Sequence, residues 1–189
     1  MDEPAKRTLD LMVGSALLVP SLLLCLAVAP VIWAETRANP LFVQTRVGRN
    51  GRLYNIWKLR TMAAGTLNAA SHEVGAATIT RSGRVLRALK FDELPQIWNV
   101  LTGDMSFVGP RPCLPSQQEV IRARERLGVL ALRPGITGPA QVAGLDMSEP
   151  ERLAEADSAY CGKWSLRRDF SILAQTFIGK GAGDAAARG

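Results

Sequence analysis

FDELPQIWNVLTGDMSFVGPRP, residues 91–112, sets two adjacent carboxylates, Asp92 and Glu93, just ahead of a proline and closes on a stiff, cationic VGPRP. Within it Leu94, Ile97, Trp98 and Leu101 recur at helical spacing and Gly103 supplies a stop, which predicts a helix. Pro95 suits that helix only in its first turn, where a missing N–H costs nothing. Asp92 then stands at or beside the helix N-terminus, where free backbone amides and the dipole keep a carboxylate ionised. The residues alone leave two readings open. Asp92 is an ordinary N-cap with Glu93 as a first-turn acid, or the two form a carboxylate pair placed beside bound phosphate.

Upstream, residues 39–62 predict a β-hairpin: LFVQT is rich in strand formers, RNG supplies the turn, and RLYNIWKLR alternates apolar with polar residues. Lys58 and Arg60 fall on one face of its second strand. Residues 63–80 are small, polar and glycine-containing and read as a surface loop, with His72 as a solvated loop histidine. RSGRVLRALK (81–90) reads as a short basic helix with Arg84, Arg87 and Lys90 about one turn apart. Downstream, 116–132, 153–164 and 170–180 read as helices, the first two amphipathic and the last apolar. Between them RPGITGPAQV (133–142) reads as a rigid turn around Arg133, and Asp104 as a turn residue ahead of the alternative of a metal or hydrogen-bonding role. The tail at 181–189 reads as disordered.

Residues 11–34 form a run of 24 positions without a charge, long enough to reach about 36 Å as a helix and so to cross a bilayer. Pro20 removes a backbone donor near its middle, and the neighbouring Ser21 hydroxyl can bond back to a carbonyl, which favours a bend. Basic residues flank both ends, Lys6 and Arg7 before, then Arg37, Arg46, Arg49 and Arg52 after, so the positive-inside bias draws both toward the cytoplasm. A re-entrant helix-turn-helix satisfies both flanks; a simple span satisfies one. Pro30 blurs the position of any bend, and these arguments do not choose between the two. A cleaved leader is disfavoured, since the run exceeds an ordinary signal core and is followed by arginines.

The whole chain of 189 residues suits one domain with attachments, divided as a membrane segment 1–38, a globular domain 39–180 and the tail. Lys and Arg exceed Asp and Glu by 23 to 17, so the partners are anions. Nucleic acid is excluded as the main partner, because the arginines alternate with acids, as in RARER at 122–126, and an apolar run replaces interleaved aromatics. Cys25, Cys113 and Cys161 with one histidine make neither a disulfide framework nor a zinc site, which fits a reducing compartment.

KLRTM at 58–62, DELPQIWNVLTGDMSFVGPRP at 92–112 and RPGITG at 133–138, in that order behind an apolar segment, resemble the bacterial sugar transferase family, the monotopic phosphoglycosyl transferases. The resemblance covers roughly residues 6–178. It implies an α+β, mostly helical chain: a re-entrant membrane helix-turn-helix bent around Pro20 and Ser21, then a small catalytic domain with a β-hairpin and surface amphipathic helices. It implies transfer of a sugar phosphate from a UDP-sugar to a polyprenyl phosphate, usually undecaprenyl phosphate, with release of UMP, as the first membrane step of surface-glycan synthesis. By the same resemblance Asp92 is the nucleophile that carries the phosphosugar, and Asp92 and Glu93 engage Mg²⁺, Glu93 chiefly. Arg87 and Arg111 would orient phosphate oxygens, with Lys58, Arg60 and Arg133 as further phosphate ligands. The implied place is the cytoplasmic face of the bacterial inner membrane, in contact with its lipid; a homo-oligomer stays open. The chain departs from the family in reading Val-Pro-Ser where a Ser-Pro pair usually marks the bend. The larger members carry further membrane spans ahead of this unit, so the minimal form is expected. A non-catalytic membrane module that binds a nucleotide sugar or lipid phosphate is the competing reading, and it would be marked by loss of the dyad.

Overall fold

The computed structural model describes residues 4–66, 78–162 and 164–178. The expectations for His72 and for the 181–189 tail lie outside the described residues.

The first element, α1, runs Pro4–Thr36 and contains both Pro20 and Pro30. It is one continuous helix, not two joined by a turn. Each proline forfeits a single donor and frees one carbonyl, that of Ala16 or Leu26, while the rest of the ladder persists. One narrow stripe of α1 faces the remainder of the molecule: Asp10, Gly14, Ser21, Ile32 and Thr36 are buried, and Cys25 and Val28 join Ile32 against Leu59, Leu86 and Phe91. These positions recur three, four or seven apart, the spacing of one helix face. The opposite face is apolar and bare, with Met12, Val19, Leu23 and Leu26 at 60% to 67% exposure. No water-facing helix keeps such a surface, so it belongs against lipid.

The predicted hairpin is present. β1 (Leu41–Val47) pairs antiparallel with β2 (Leu53–Leu59) in the register Phe42 opposite Lys58 and Thr45 opposite Asn55. Its turn is a short 3-10 segment, Arg49–Gly51, in which Asn50 takes φ 54°. α2 (Arg81–Ala88) is capped by Thr80, whose hydroxyl accepts from the Gly83 amide at 3.0 Å. A single 3-10 turn, Phe91–Glu93, leads into α3 (Gln96–Thr102), which Gly103 stops at φ 92°.

β3 (Ser106–Val108) then pairs in parallel with β4 (Gly135–Thr137), so RPGITG is a strand partner and not only a turn. Three-residue strands are too short for alternation to show. What the motif supplies is close approach: a Cβ on Gly109 would lie 2.4 Å from the Arg133 carbonyl, and one on Gly138 2.0 Å from that of Gly109. The two loops touch backbone to backbone.

α4 (Gln118–Arg126) is shorter than expected because Gly128, at φ 70°, breaks the chain into a 3-10 turn at Val129–Ala131. α5 (Pro139–Val142) follows β4, and α6 (Pro150–Ser158) starts earlier than its apolar pattern, with Pro150 in its first turn. α7 (Leu166–Phe177) opens at Ser165, whose hydroxyl accepts from the Arg168 amide. Val47, Cys113, Val120, Ala140 and Leu153 join the hairpin to α4, α5 and α6 in one buried cluster.

Candidate active site

The dyad is delivered by a strained turn. Lys90, at φ 57°, lies in the left-handed region that costs a non-glycine residue about 1 kcal/mol, and it ends the α2 segment so that the chain reverses into Phe91–Glu93. Asp92 is therefore not the N-cap of α3; that position is Pro95, without a side-chain cap bond. The carboxylates stand one turn ahead of the helix, and the simple capping reading does not hold.

Lys58, on the hairpin face that turns inward, donates from Nζ to Glu93 Oε1 at 3.1 Å. Arg111 Nη1 reaches the same oxygen at 3.4 Å. Burial pushes Glu93 upward, but Lys58, Arg111 and Lys90 outweigh it and hold the carboxyl at about 2. For Asp92 the balance falls the other way: burial and the Glu93 charge raise it to about 6 against the pull of Lys58, Arg87 and Arg111. Two neighbouring carboxyls thus take opposite characters, one fixed as an anion and one ionised at neutral pH at some energetic cost.

Arg87 donates from Nε to the Thr61 hydroxyl at 2.9 Å, and its Nη1 is buried with no hydrogen-bond partner among the described residues. A buried guanidinium donor left open beside a carboxylate pair is what an anionic ligand would satisfy. Gln96, 1% exposed, likewise buries an unpartnered Nε2 in the first turn of α3. Neither Thr61 nor Gln96 stood out in the sequence, although Gln96 lies three residues from Glu93.

Arg60 and Arg133 are held elsewhere. Arg60 donates to the Asn39 carbonyl at 2.8 Å and lies 5.7 Å from the Phe42 ring centre. Arg133 donates to the Gly103 carbonyl at 3.0 Å and borders a shallow open cleft with Lys6, Arg7, Asp10, Tyr160 and Trp164, which neither dyad carboxylate lines. Asp104 accepts from the Thr102 hydroxyl at 3.1 Å, as a turn residue does.

Among the described residues no three His, Cys, Asp or Glu side chains cluster as a ligand set. Asp92 and Glu93, near the unpartnered Arg87 Nη1, offer the hard oxygen donors of the kind Mg²⁺ takes, an ion that keeps waters and shares substrate phosphates and seldom takes an all-protein cage.

A half-buried carboxylate pair ringed by cations, on a domain edged by a bare apolar helix, defines a membrane-associated protein with a site built for anions. The chain belongs to the bacterial sugar transferase family, whose model matches residues 1–180. It is 42% identical to the UDP-glucose:undecaprenyl-phosphate glucose-1-phosphate transferase of Caulobacter vibrioides, over 90% of this chain and 67% of that one. The uncharacterized sugar transferase EpsL of Bacillus subtilis is 34% identical over 90% of this chain and 84% of its own. A UDP-glucose:undecaprenyl-phosphate glucose-1-phosphate transferase of Klebsiella pneumoniae is 34% identical, but this chain spans only 41% of its length.

Proposed function

We propose that the chain is a polyprenyl-phosphate sugar-1-phosphate transferase that takes its phosphosugar from a UDP-sugar and hands it to undecaprenyl phosphate, releasing UMP. The relatives' named activities support the general reaction. The observation that carries the site assignment is the divided dyad, with the open Nη1 of Arg87 beside it.

An oxygen of ionised Asp92 attacks the sugar-bearing phosphorus. The bond from that phosphorus to the bridging oxygen breaks, and UMP leaves with the electron pair. The phosphosugar is now held on Asp92 as an acyl phosphate. A phosphate oxygen of the lipid acceptor then attacks the same phosphorus and displaces the carboxylate, which regenerates Asp92 and leaves a polyprenyl-diphosphate sugar. A carboxyl at about 6 is ionised at neutral pH yet a better nucleophile than an ordinary, more acidic carboxylate. Glu93 and Asp92 would hold Mg²⁺, which supplies hard positive charge to the diphosphate oxygens. Arg87 and Arg111 orient those oxygens from the protein side.

Both ends of α1 are fastened to the one catalytic domain. At the start Lys6 pairs with Asp169 at 2.6 Å and Asp10 accepts from Ser106 at 3.1 Å; at the end Glu35 accepts from the Ser82 hydroxyl at 2.6 Å. A helix that crossed the bilayer would carry one end to the far side, so both ends of α1 lie on the catalytic domain's side of the membrane. The domain then works at the cytoplasmic face of the inner membrane, where the acceptor's phosphate lies.

The test is UMP release from a panel of UDP-sugars with purified protein, Mg²⁺ and undecaprenyl phosphate. Release with at least one sugar, dependent on the lipid and absent in Asp92→Asn, is expected. Without lipid no more than one equivalent of UMP per enzyme should appear, from the first step alone; continued turnover without lipid, or no release with any sugar, overturns the reading.

A further inference from the structure

We infer that Arg124 and Asp157 form a buried positioning pair that fixes Arg111 against Glu93 by holding the backbone of the VGPRP loop; this rests on the site assignment above. In the sequence Arg124 falls only within the amphipathic helix expected over 116–132, yet its side chain is 3% exposed and that of Asp157 is 0%. From this position Arg124 makes two directed bonds. Nη2 donates to Asp157 Oδ2 at 2.7 Å and Nη1 donates to the main-chain carbonyl of Arg111, also at 2.7 Å. The planar fork of a guanidinium joins two acceptors in fixed geometry, which an ammonium cannot do.

The rest of the loop shows why that bond matters. The Gly109 amide donates to Thr137 at 2.8 Å, the Pro110 carbonyl accepts from the Gly135 amide at 2.9 Å, and the Cys113 carbonyl accepts from the Val47 amide at 2.9 Å. The Pro112 carbonyl accepts from Arg46 Nη1 at 3.2 Å. Five consecutive residues are gripped through the main chain, and on Arg111 it is the carbonyl that Arg124 grips. Pro110 and Pro112 have no amide to offer, so the loop is held chiefly through its carbonyls. A buried ion pair contributes little net stability compared with apolar residues of similar size. Its work here is geometric: the carbonyl of Arg111 is fixed, and with it the start of the side chain that reaches Glu93 at 3.4 Å.

The experiment replaces the pair as a unit, Arg124→Met with Asp157→Val, so that no charge is left buried alone. Arg124→Lys serves as a second variant that keeps the charge pairing but not both bonds. For each, kcat/KM for the UDP-sugar is expected to fall by about 10-fold to 100-fold, as for a misplaced catalytic contact, while the thermal midpoint stays near the parent's. The decisive readout is the cycle with Arg111→Ala: once Arg111 is gone, removing the pair should cost less than about 2-fold more. A purely structural role would give the full loss again in that background, and that result overturns the inference.

An arm independent of activity uses Cys113, which is fully buried two residues from Arg111, in protein with Cys25→Ser and Cys161→Ser. Thiol labelling of native Cys113 should accelerate in both variants, even though removal of the Arg124 charge would by itself raise the thiol's pKa and slow the reaction. Labelling no faster than the parent's overturns the inference. If no UDP-sugar supports turnover in the unmodified protein, the activity reading fails separately, and the labelling arm still decides whether the pair holds the loop.

Discussion

Asp92 and Glu93 are adjacent in sequence and opposite in energy. Asp92 titrates at about 6, above its ordinary 3.8, so ionising it in the folded chain costs free energy. That cost is full above about pH 6 and vanishes as pH falls toward 3.8, because the folded chain takes up the proton first. Glu93 titrates at about 2, below its ordinary 4.5, so it stabilises the fold fully above pH 4.5 and loses that contribution as pH falls through about 2. Asp92→Asn should therefore stabilise the fold at pH 7.5 in EDTA by on the order of 1 to 3 kcal/mol, and so raise the thermal midpoint, while abolishing turnover. Glu93→Gln should lower the midpoint, because it leaves Lys58 and Arg111 facing an uncharged amide. Calorimetry of both variants checks the pair of signs, and a destabilised Asp92→Asn would show that the aspartate is not held at an energetic cost. Bound Mg²⁺ would draw the Asp92 titration downward, so a fall of kcat/KM as the carboxylate takes up a proton is expected only at or below about pH 6.

Among the elements, those with a long period were legible and those built from contact were not. The hairpin, α2, α3 and the helical character of the C-terminal third follow from apolar spacing, turn residues and stops. β3 and β4 escaped notice because three residues carry no period and their pairing rests on glycines that let two loops touch. Arg124 and Asp157 escaped because a charged residue on a helix reads as solvated until the neighbouring helix covers it. Of the candidate site, the adjacent carboxylates Asp92 and Glu93 drew notice in the sequence, with their role implied only by the family resemblance, whereas Thr61 and Gln96 come to notice only through their burial. The contact argument predicts a contrast between glycines. Gly138→Ala sets a Cβ 2.0 Å from a backbone oxygen that cannot yield, whereas in Gly14→Ala the nearest atom, at 3.0 Å, is the flexible tip of Leu101. The first should cost on the order of 3 kcal/mol and take activity with it by displacing the VGPRP loop, and the second should cost less than about 1 kcal/mol. Equal losses in chemical denaturation would remove the interlocking-loop account.

On the scale of the whole molecule, α1 unites the site with the membrane. Arg7 donates from Nη1 and Nη2 to the Val100 and Leu101 carbonyls at 2.6 and 3.0 Å, which satisfies the C-terminal end of α3, the helix that follows the dyad. Ile32, fully buried, packs at the other end of α1 on Leu86 of α2, the helix that precedes it. The apolar helix is thus clasped to both sides of the segment that carries Asp92, so under the proposed function the depth of the helix in lipid would set the height of Asp92 over the headgroups. A straight helix of this length would measure about 50 Å, more than a bilayer core and more than a small domain can follow with one stripe. The freed carbonyls at Ala16 and Leu26 are where it can yield. Pro20→Leu restores one of those bonds, and the stiffer helix should release one of its ends in a fraction of molecules, letting the N-terminus reach the far side. A cysteine appended at either terminus, with Cys25, Cys113 and Cys161 replaced, reports this through an impermeant thiol reagent on intact cells. Neither tag should label in the parent, and the N-terminal tag should label in part in Pro20→Leu. Labelling of the N-terminal tag in the parent would mean that α1 crosses the bilayer, and the contacts of Lys6, Arg7 and Asp10 with the catalytic domain could not then exist in the membrane.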